Sequence, residues 1–206
     1  SSHAGADDLK RDIEAAGGRA ACFAADLSDA RAARALPGRV VDALGRLDVL
    51  VNSAAVMHHL RFADTTVEQY DEILDLNLRS VFFCTQGAAT ALRAARGKGV
   101  NIADLGGLEP WPGYAAHSVS KAGVVMLTKV LALSLAPEVT VNAIAPGAVL
   151  VPDSYDAEER ERLAITTPAR RLGAPGDGVA ALLHLLEGGD YVTGEVLAVD
   201  GGRRLR

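Results

Sequence analysis

The chain has 206 residues, of which 49% are hydrophobic and 23% charged, a composition suited to one globular domain with a sizeable core. A net charge of -5 argues against nucleic acid and acidic membrane surfaces as main partners. No apolar stretch is predicted to span a membrane, and the N-terminus lacks a signal-peptide core. Cys22 and Cys84 fit neither a metal cluster nor a disulfide framework, which predicts a reducing, cytoplasmic setting.

Helices and strands alternate along the chain, a pattern typical of an α/β fold with a largely parallel sheet. The predicted helices cover residues 4–16, 28–44 (with Ser28 as N-cap and a break or kink at Pro37-Gly38), 66–95, 113–135, 156–164 and 178–186. The predicted strands cover residues 19–25, 47–51, 100–103, 139–144 and 195–199. The run 47–51 is uniformly apolar, which is typical of a strand buried on both faces. No repeat or linker divides residues 1–206, so we expect a single domain.

One predicted helix carries two titratable side chains on the same face. Pro112-Gly113 predicts a turn before the apolar segment Ala122–Leu135. His117 and Lys121 are four residues apart, so their side chains can touch on a helix. A titratable group beside a fixed ammonium is one way to tune a proton donor, although a solvated helix start gives the same pattern.

The run His117-Ser118-Val119-Ser120-Lys121-Ala122 resembles the catalytic helix of the short-chain dehydrogenase/reductase family, whose pattern is Tyr-x-x-x-Lys. Lys121 matches the lysine, and His117 stands in place of the tyrosine. Other pieces resemble the family in its order and spacing over essentially the whole chain: Asp26-Leu27, Asn52-Ser53-Ala54-Ala55, Asn77, Pro146-Gly147, Tyr191-Val192-Thr193-Gly194 and Val199-Asp200-Gly201-Gly202. The resemblance implies a Rossmann-like, doubly wound parallel sheet in a three-layer α/β/α arrangement.

The resemblance also implies NAD or NADP as cofactor. The corresponding positions are Asp26 and Leu27 (the pair that contacts adenine), Asn52 and Ala54 (in a variant Asn-Asn-Ala-Gly motif), Lys121 (which holds the ribose) and Pro146, Gly147 and Val149 (the segment beside the nicotinamide). Val149 is placed where a backbone amide meets the carboxamide. The residue that separates NAD from NADP in the family follows a strand with no counterpart in this sequence.

Catalytic positions follow from the same resemblance. The family uses a tyrosine for proton transfer, a lysine that lowers the tyrosine pKa, a serine that polarises the substrate oxygen and an asparagine that anchors a proton-relay water. The corresponding residues are His117, Lys121, Asp104 and Asn77. Pteridine reductases within the family carry aspartate at the serine position. Neutral imidazole offers one donor and one acceptor and can serve as a general acid near neutral pH.

The glycine-rich Gly-x-x-x-Gly-x-Gly turn that the family uses for pyrophosphate follows none of the predicted strands. Glycines at 173–178 precede a different helix and are predicted as a loop and N-cap. The resemblance therefore implies that the first β-α-β unit is lacking, in a fragment or in a shortened variant that repairs its sheet by oligomerising. Without that unit the strand ending at Asp26 has no neighbour and the run 47–51 is exposed.

The remaining polar candidates have simpler interpretations. His58 and His59 are expected in a substrate loop, without a third ligand for a metal. Tyr114 is expected to pack or line a pocket, and Trp111 to do either. Surface positions are predicted for His184, Arg170-Arg171 and the tail at 203–206.

Two functions remain open on this reasoning. The first is an NAD(P)-dependent oxidoreductase that transfers hydride to or from a carbonyl, or a pterin-like C=N bond if Asp104 acts as in pteridine reductases. The alternative is a catalytically degenerate relative that serves in binding or assembly, because two catalytic positions are replaced. The resemblance also implies a small-molecule substrate and a homodimer or homotetramer that pairs the helices 66–95 and 117–135.

Overall fold

The computed structural model describes residues 3–149, 151 and 155–206. Its α-helices are α1 (His3–Ala15), α2 (Ala30–Leu44), α3 (Val67–Leu74), α4 (Ser80–Ala95), α5 (Ala115–Leu135), α6 (Ala157–Thr166) and α7 (Pro175–Glu187). Its strands are β1 (Val49–Asn52), β2 (Lys98–Ile102), β3 (Thr140–Pro146) and β4 (Val196–Val199). A π turn at Asp75–Arg79 joins α3 to α4, and 3₁₀ turns cover Phe62–Asp64, Leu105–Gly107 and Arg203–Leu205.

The strands form one parallel sheet in the order β1-β2-β3-β4, which confirms the predicted Rossmann-like α/β fold. Side chains on β3 alternate between its two faces. Ala143 and Ala145 pack with Val124 of α5, whereas Ile144 packs with Leu185 of α7. Helices therefore cover both faces of the sheet, and all carboxyl ends of the strands lie along one edge.

A buried polar chain ties the central elements together. The Asn52 amide donates to Asn101 Oδ1 at 2.8 Å and to Thr85 Oγ1 at 3.1 Å. Asn101 in turn donates to Thr128 Oγ1 at 2.9 Å. These bonds connect β1 and β2 to α4 and α5 while leaving the buried amides satisfied.

Residues 19–25 do not form the predicted strand. In the described part of the chain no strand lies beside them, and an apolar run without a ladder partner does not become a strand. The segment lies against α2 instead, where Arg39 donates to the Ala24 carbonyl at 3.1 Å. The prediction that 47–51 is buried on both faces is also wrong, because Val49 and Val51 are 37% and 38% exposed at the open side of β1.

The helix starts differ from the predicted ones for reasons of side-chain geometry. Asp29, rather than Ser28, caps α2, because its carboxylate accepts from the Arg31 amide at 2.7 Å while the Ser28 hydroxyl donates to Asp26. Pro37 is buried within α2, which continues to Leu44 without the predicted break. The single helix predicted over 66–95 is interrupted by the π turn.

The glycine-containing segment 173–178, predicted as a loop and N-cap, includes the N-cap of α7 and also the first residues of that helix. Pro175 is the first residue of the helix, where a proline is favoured. Asp177 accepts from the Ala174 amide and, through both oxygens, from the Arg171 guanidinium at 2.7 and 2.8 Å. These bonds hold the pKa of Asp177 well below its usual range, and Arg171, exposed as predicted, forms an ion pair with it.

Helix α5 has 21 residues and a mean hydropathy of 1.5, so by length and composition it meets the test for a membrane span. The expectation that no such stretch exists is therefore wrong as a statement about the sequence. Core helices of globular proteins meet the same test, and α5 packs against β3 and the 3₁₀ turn Leu105–Gly107. One face of α5 remains exposed and apolar.

Two glycine-to-alanine substitutions distinguish the effect of close helix packing on stability from the effect of backbone entropy. A Cβ at Gly87 of α4 lies 2.0 Å from the Arg34 carbonyl oxygen of α2, whereas a Cβ at Gly38 meets nothing within 4 Å. Gly87→Ala is expected to destabilise the fold by about 2 kcal/mol or more, because two backbones must separate. Gly38→Ala, inside α2, is expected to stabilise it by about 0.5 kcal/mol. Urea unfolding measures the free energy of unfolding of both variants. Equal effects of the two substitutions would contradict the close contact between α4 and α2.

Candidate active site

The predicted catalytic residues meet at the carboxyl edge of the sheet, between the π turn and the first turns of α5. Asn77 lies in the π turn, Asp104 follows β2, and His117 and Lys121 are both on α5. Asn77, His117 and Lys121 are buried, and Asp104 is partly exposed. The sequence resemblance placed these residues together, and the fold does so.

Asn77 fixes the geometry of the site. Its Oδ1 accepts from the Val56 amide at 2.8 Å, and its Nδ2 donates to the Val56 carbonyl at 2.9 Å and to Ser120 Oγ at 3.0 Å. The π turn presents this side chain inward, as such turns often do at functional sites. The carboxamide thereby joins the segment after β1 to α5.

His117 lies in the middle of the cluster with one satisfied nitrogen and one that is not. Its Nδ1 is 3.3 Å from the Val56 carbonyl oxygen. Both Asn77 Nδ2 hydrogens already have acceptors, so Asn77 does not donate to the imidazole. His117 Nδ1 therefore carries a hydrogen, which it donates to the Val56 carbonyl. Nε2 is buried without a hydrogen-bond partner and lies 3.8 Å from Asp104 Oδ1.

Asp104 and Lys121 supply the charges beside that imidazole. Asp104 caps the 3₁₀ turn that follows β2, where its Oδ1 accepts from the Gly106 amide at 2.7 Å. Lys121 Nζ donates to the Ile102 carbonyl at 2.8 Å. Burial lowers the pKa of Lys121, and the negative charge of Asp104 partly offsets that effect.

A cavity of about 220 Å³ opens next to the cluster. Its walls include Asp104, Trp111, Tyr114, Gly147, Tyr155 and Arg203. His117 is 3% exposed and lies behind this wall, stacked on Trp111 at 6.4 Å between ring centroids. Asp104 is the charged group that lines the cavity and lies beside the imidazole. A slightly larger cavity, about 260 Å³, lies beyond the ends of β3 and β4 and contains none of the four catalytic candidates.

The predicted cofactor-binding residues are spread along the same edge. Pro146 and Asn52 end β3 and β1, and Gly147 lines the smaller cavity. The Val149 amide donates to the Gly147 carbonyl at 2.9 Å. Ala54 follows β1 and is exposed. Asp26 and Leu27 lie in the segment that lacks a strand, where the Asp26 carboxylate accepts from Ser28 and its pKa is lowered.

Aromatic residues near the site have the predicted packing roles. Trp111 and Tyr114 line the cavity, and His59 packs edge-on against Tyr114 with ring centroids 5.1 Å apart. His58 lies 3.4 Å from Glu72. No group of metal-ligating side chains occurs among the described residues, and His184 is at the surface.

Comparisons with known proteins find relatives along almost the whole chain. A family model described as enoyl-(acyl carrier protein) reductase matches residues 2–204. An acetoacetyl-CoA reductase from Acinetobacter sp. (strain RA3849) is 37% identical over 182 residues, covering 86% of this chain and 73% of that protein. The 3beta-hydroxysteroid dehydrogenase 1 of Eggerthella lenta is 37% identical over 209 residues, covering 98% and 80%.

The fold of a solved relative matches as closely. The crystal structure of a protein described as a short-chain alcohol dehydrogenase from Sinorhizobium meliloti 1021 has a TM-score of 0.92 and 30% identity, covering 99% of this chain and 84% of that one. The chain belongs to the short-chain dehydrogenase/reductase family. Its relatives are oxidoreductases, and this short-chain dehydrogenase/reductase is an NAD(P)-dependent oxidoreductase as well.

Several residues of this short-chain dehydrogenase/reductase site escaped the sequence reasoning. Ser120 accepts from Asn77 and donates to the His117 carbonyl at 2.7 Å. Tyr155 hydrogen-bonds to the Tyr114 side chain, and Arg203 reaches the cavity from the C-terminal tail. Ser120 belongs to the quoted motif, but no local pattern indicated that Tyr155 or Arg203 would reach the cavity.

The buried Lys121 gives a pH-dependent test of the site. Because its pKa is lowered in the folded chain, the unfolded chain binds more protons between that pKa and the ordinary value of 10.5. The stability of the wild type relative to Lys121→Met is therefore expected to stay constant below this window and to rise with pH within it. Urea unfolding at increasing pH measures this, with exposed Lys129→Met as control. A difference that falls with pH would contradict the desolvated ammonium.

Proposed function

We propose that this chain interconverts a carbonyl group and the corresponding alcohol on a small molecule, with His117 as the proton reservoir and Asp104 as the group between it and the substrate. The observation that carries the proposal is the unpartnered, buried Nε2 of His117, 3.8 Å from Asp104 Oδ1. A buried polar atom without a partner is rare in structural positions, because desolvation costs free energy.

The residues present fit the nicotinamide-ribose end of NAD(P). Lys121 Nζ has three hydrogens and donates one to the Ile102 carbonyl, which leaves donors for ribose hydroxyls. The carboxyl edge of a parallel sheet, where Gly147 lines the cavity, is the usual position for such a nucleotide. The bound nicotinamide supplies or accepts the hydride at the substrate carbon.

The protein's own residues then handle the proton. With Nδ1–H donated to the Val56 carbonyl, neutral His117 has its lone pair on Nε2, and protonation there gives an imidazolium facing Asp104. During reduction, the imidazolium of His117 gives its Nε2 proton to the Asp104 carboxylate, which passes it to the substrate oxygen and leaves His117 neutral and Asp104 ionised. During oxidation the same proton moves back, and Asn77 holds the ring through Val56 and Ser120.

A carbonyl is favoured over a pterin-like C=N bond because of the relatives. Proteins whose names specify acetoacetyl and hydroxysteroid substrates each cover 86% or more of this chain. The aspartate at position 104 is equally suited to either role through its cavity contact. No observation favours the binding or assembly alternative over turnover.

Replacement of the imidazole tests the proton route. His117→Ala is expected to lower kcat about 100-fold to 10,000-fold, because the proton reservoir is lost. His117→Tyr is expected to retain measurable turnover, since a phenol also donates a proton. The measurement is NADH and NADPH oxidation with a panel of ketones, beside cofactor binding by fluorescence.

Surface His184→Ala is the matched control and is expected to leave rates within about twofold of wild type. Unchanged kcat in His117→Ala would overturn the assigned role. Cofactor binding without turnover of any carbonyl in the wild type would overturn the proposed function itself.

We also propose a homodimer or homotetramer, with the exposed face of α5 as a subunit contact. Val119, Met126, Val130 and Leu133 form an apolar stripe at helical spacing, with Leu133 84% and Met126 58% exposed. Phe82 of α4 is exposed as well. Contiguous exposed apolar surface of this kind is typical of protein contacts.

Charge placed on the stripe is expected to dissociate the oligomer. Val130→Lys with Leu133→Lys buries two ammonium groups in the contact, whereas Leu9→Lys on α1 places one at another exposed apolar site. Light scattering after size exclusion measures the mass. Monomeric wild type, or an unchanged mass in the double variant, would contradict this contact.

A further inference from the structure

The tail residue Arg203 brings an unpaired positive charge into the cavity wall. Its Nη1 is buried without a hydrogen-bond partner, and its side chain makes no salt bridge among the described residues. The backbone is fixed, because the Arg203 amide donates to the Asp200 carbonyl within the last 3₁₀ turn. A half-buried guanidinium of this kind costs desolvation free energy, and no salt bridge within the described part of the chain offsets it.

The surroundings add positive charge rather than neutralise it. Burial lowers the pKa of Arg203, and Arg206 and Arg162 act on it as like charges in the same direction. Glu109 and Tyr155 oppose them, but Glu109 Oε1 accepts from Trp111 Nε1 at 2.9 Å. No carboxylate lies within salt-bridge distance of Arg203 in the described residues. The Arg203 end of the cavity is thus poised for an anion from outside.

We propose that Arg203 binds an anionic group of the substrate, so that the substrate is a ketone that carries a carboxylate or a phosphate rather than a neutral ketone. This inference rests on the proposed function, because it names the substrate class of the same cavity. A guanidinium binds carboxylate or phosphate through paired N–H donors, and either anion satisfies the site.

The cavity has the polarity that such a substrate requires. Asp104 lies on the wall next to His117, where a carbonyl oxygen exchanges its proton, and it repels a second carboxylate. Arg203 offers the attractive position on the same wall. A cavity of about 220 Å³ is below the usual range for drug-sized ligands, which favours a compact ketone of this class.

The first test compares charged and neutral substrates. Acetoacetate, its methyl ester and a phosphate-bearing ketone are reduced with NADH or NADPH by wild type, Arg203→Met, Arg203→Lys and Arg204→Met. Arg204 is the matched control, since it carries the same charge, is exposed and does not line the cavity. The wild-type preference for an anion, in kcat/KM, is expected to fall about tenfold to a hundredfold in Arg203→Met.

Arg203→Lys is expected to keep part of the preference, because it keeps the charge and loses the fork. Turnover of the methyl ester by Arg204→Met is expected to stay within about twofold of wild type, and cooperative urea unfolding of Arg203→Met excludes a folding defect in that variant. The phosphate-bearing ketone decides between the anions: a preference for it over acetoacetate assigns phosphate, and the reverse assigns carboxylate.

A second readout needs no turnover. Trp111 is the single tryptophan of the chain and lines the same cavity, so its fluorescence reports occupancy. Butyrate or methyl phosphate is expected to bind wild type and Arg204→Met at least tenfold more tightly than Arg203→Met, while butyramide binds all three alike.

The two readouts separate the two proposals. Ketone reduction without an anion preference, or with a preference equal in Arg203→Met and Arg204→Met, overturns the role of Arg203 and leaves the proposed function standing. Absence of reduction of any ketone overturns the proposed function, and the fluorescence titration then decides on Arg203 alone. Equal butyrate, methyl phosphate and butyramide affinities in wild type and Arg203→Met would overturn the anion site.

Discussion

The site depends on one carboxamide. Asn77 closes a two-way hydrogen bond with the Val56 backbone and still donates to Ser120, so the segment after β1, the π turn and α5 share one anchor. Both of its N–H donors are used by these contacts, and His117 Nδ1 donates to the Val56 carbonyl. The orientation of the imidazole, and hence the free lone pair of Nε2, therefore follows from the contacts of this buried amide.

Buried polar atoms without hydrogen-bond partners occur close to the candidate active site. Among the described residues, four buried side-chain atoms lack a partner; Arg203 Nη1 belongs to a side chain on the cavity wall, and His117 Nε2 lies behind that wall beside Asp104. Protein interiors rarely tolerate such atoms, which is consistent with a proposed ligand in this cavity. Lys121 adds a desolvated ammonium with donors to spare. The free energy given up in folding is recovered on binding, in the manner of preorganised sites.

Local patterns predicted most elements, since periodicity and turn residues act over short distances. They failed where the outcome depended on distant partners. Residues 19–25 have the composition of a strand but no ladder beside them, and Pro37 stays helical because α2 packs on α4. The catalytic quartet came from a motif, whereas Arg203 looked like one more solvated charge in a basic tail. Only the folded chain brings that tail to Asp104 and Trp111.

Strands β1 and β3 differ in how fully their neighbours cover them. Strand β3 has hydrogen-bonded neighbours on both sides and helices on both faces, whereas β1 has one neighbour and half-exposed valines. Amide protons of β3 are therefore expected to exchange more slowly in deuterated water than those of β1. Exchange in β3 requires global unfolding, whereas exchange in β1 requires only local fraying. Within the sheet, the strand that leads to Gly147 is thus expected to be held more firmly than β1, from which the chain continues towards Val56.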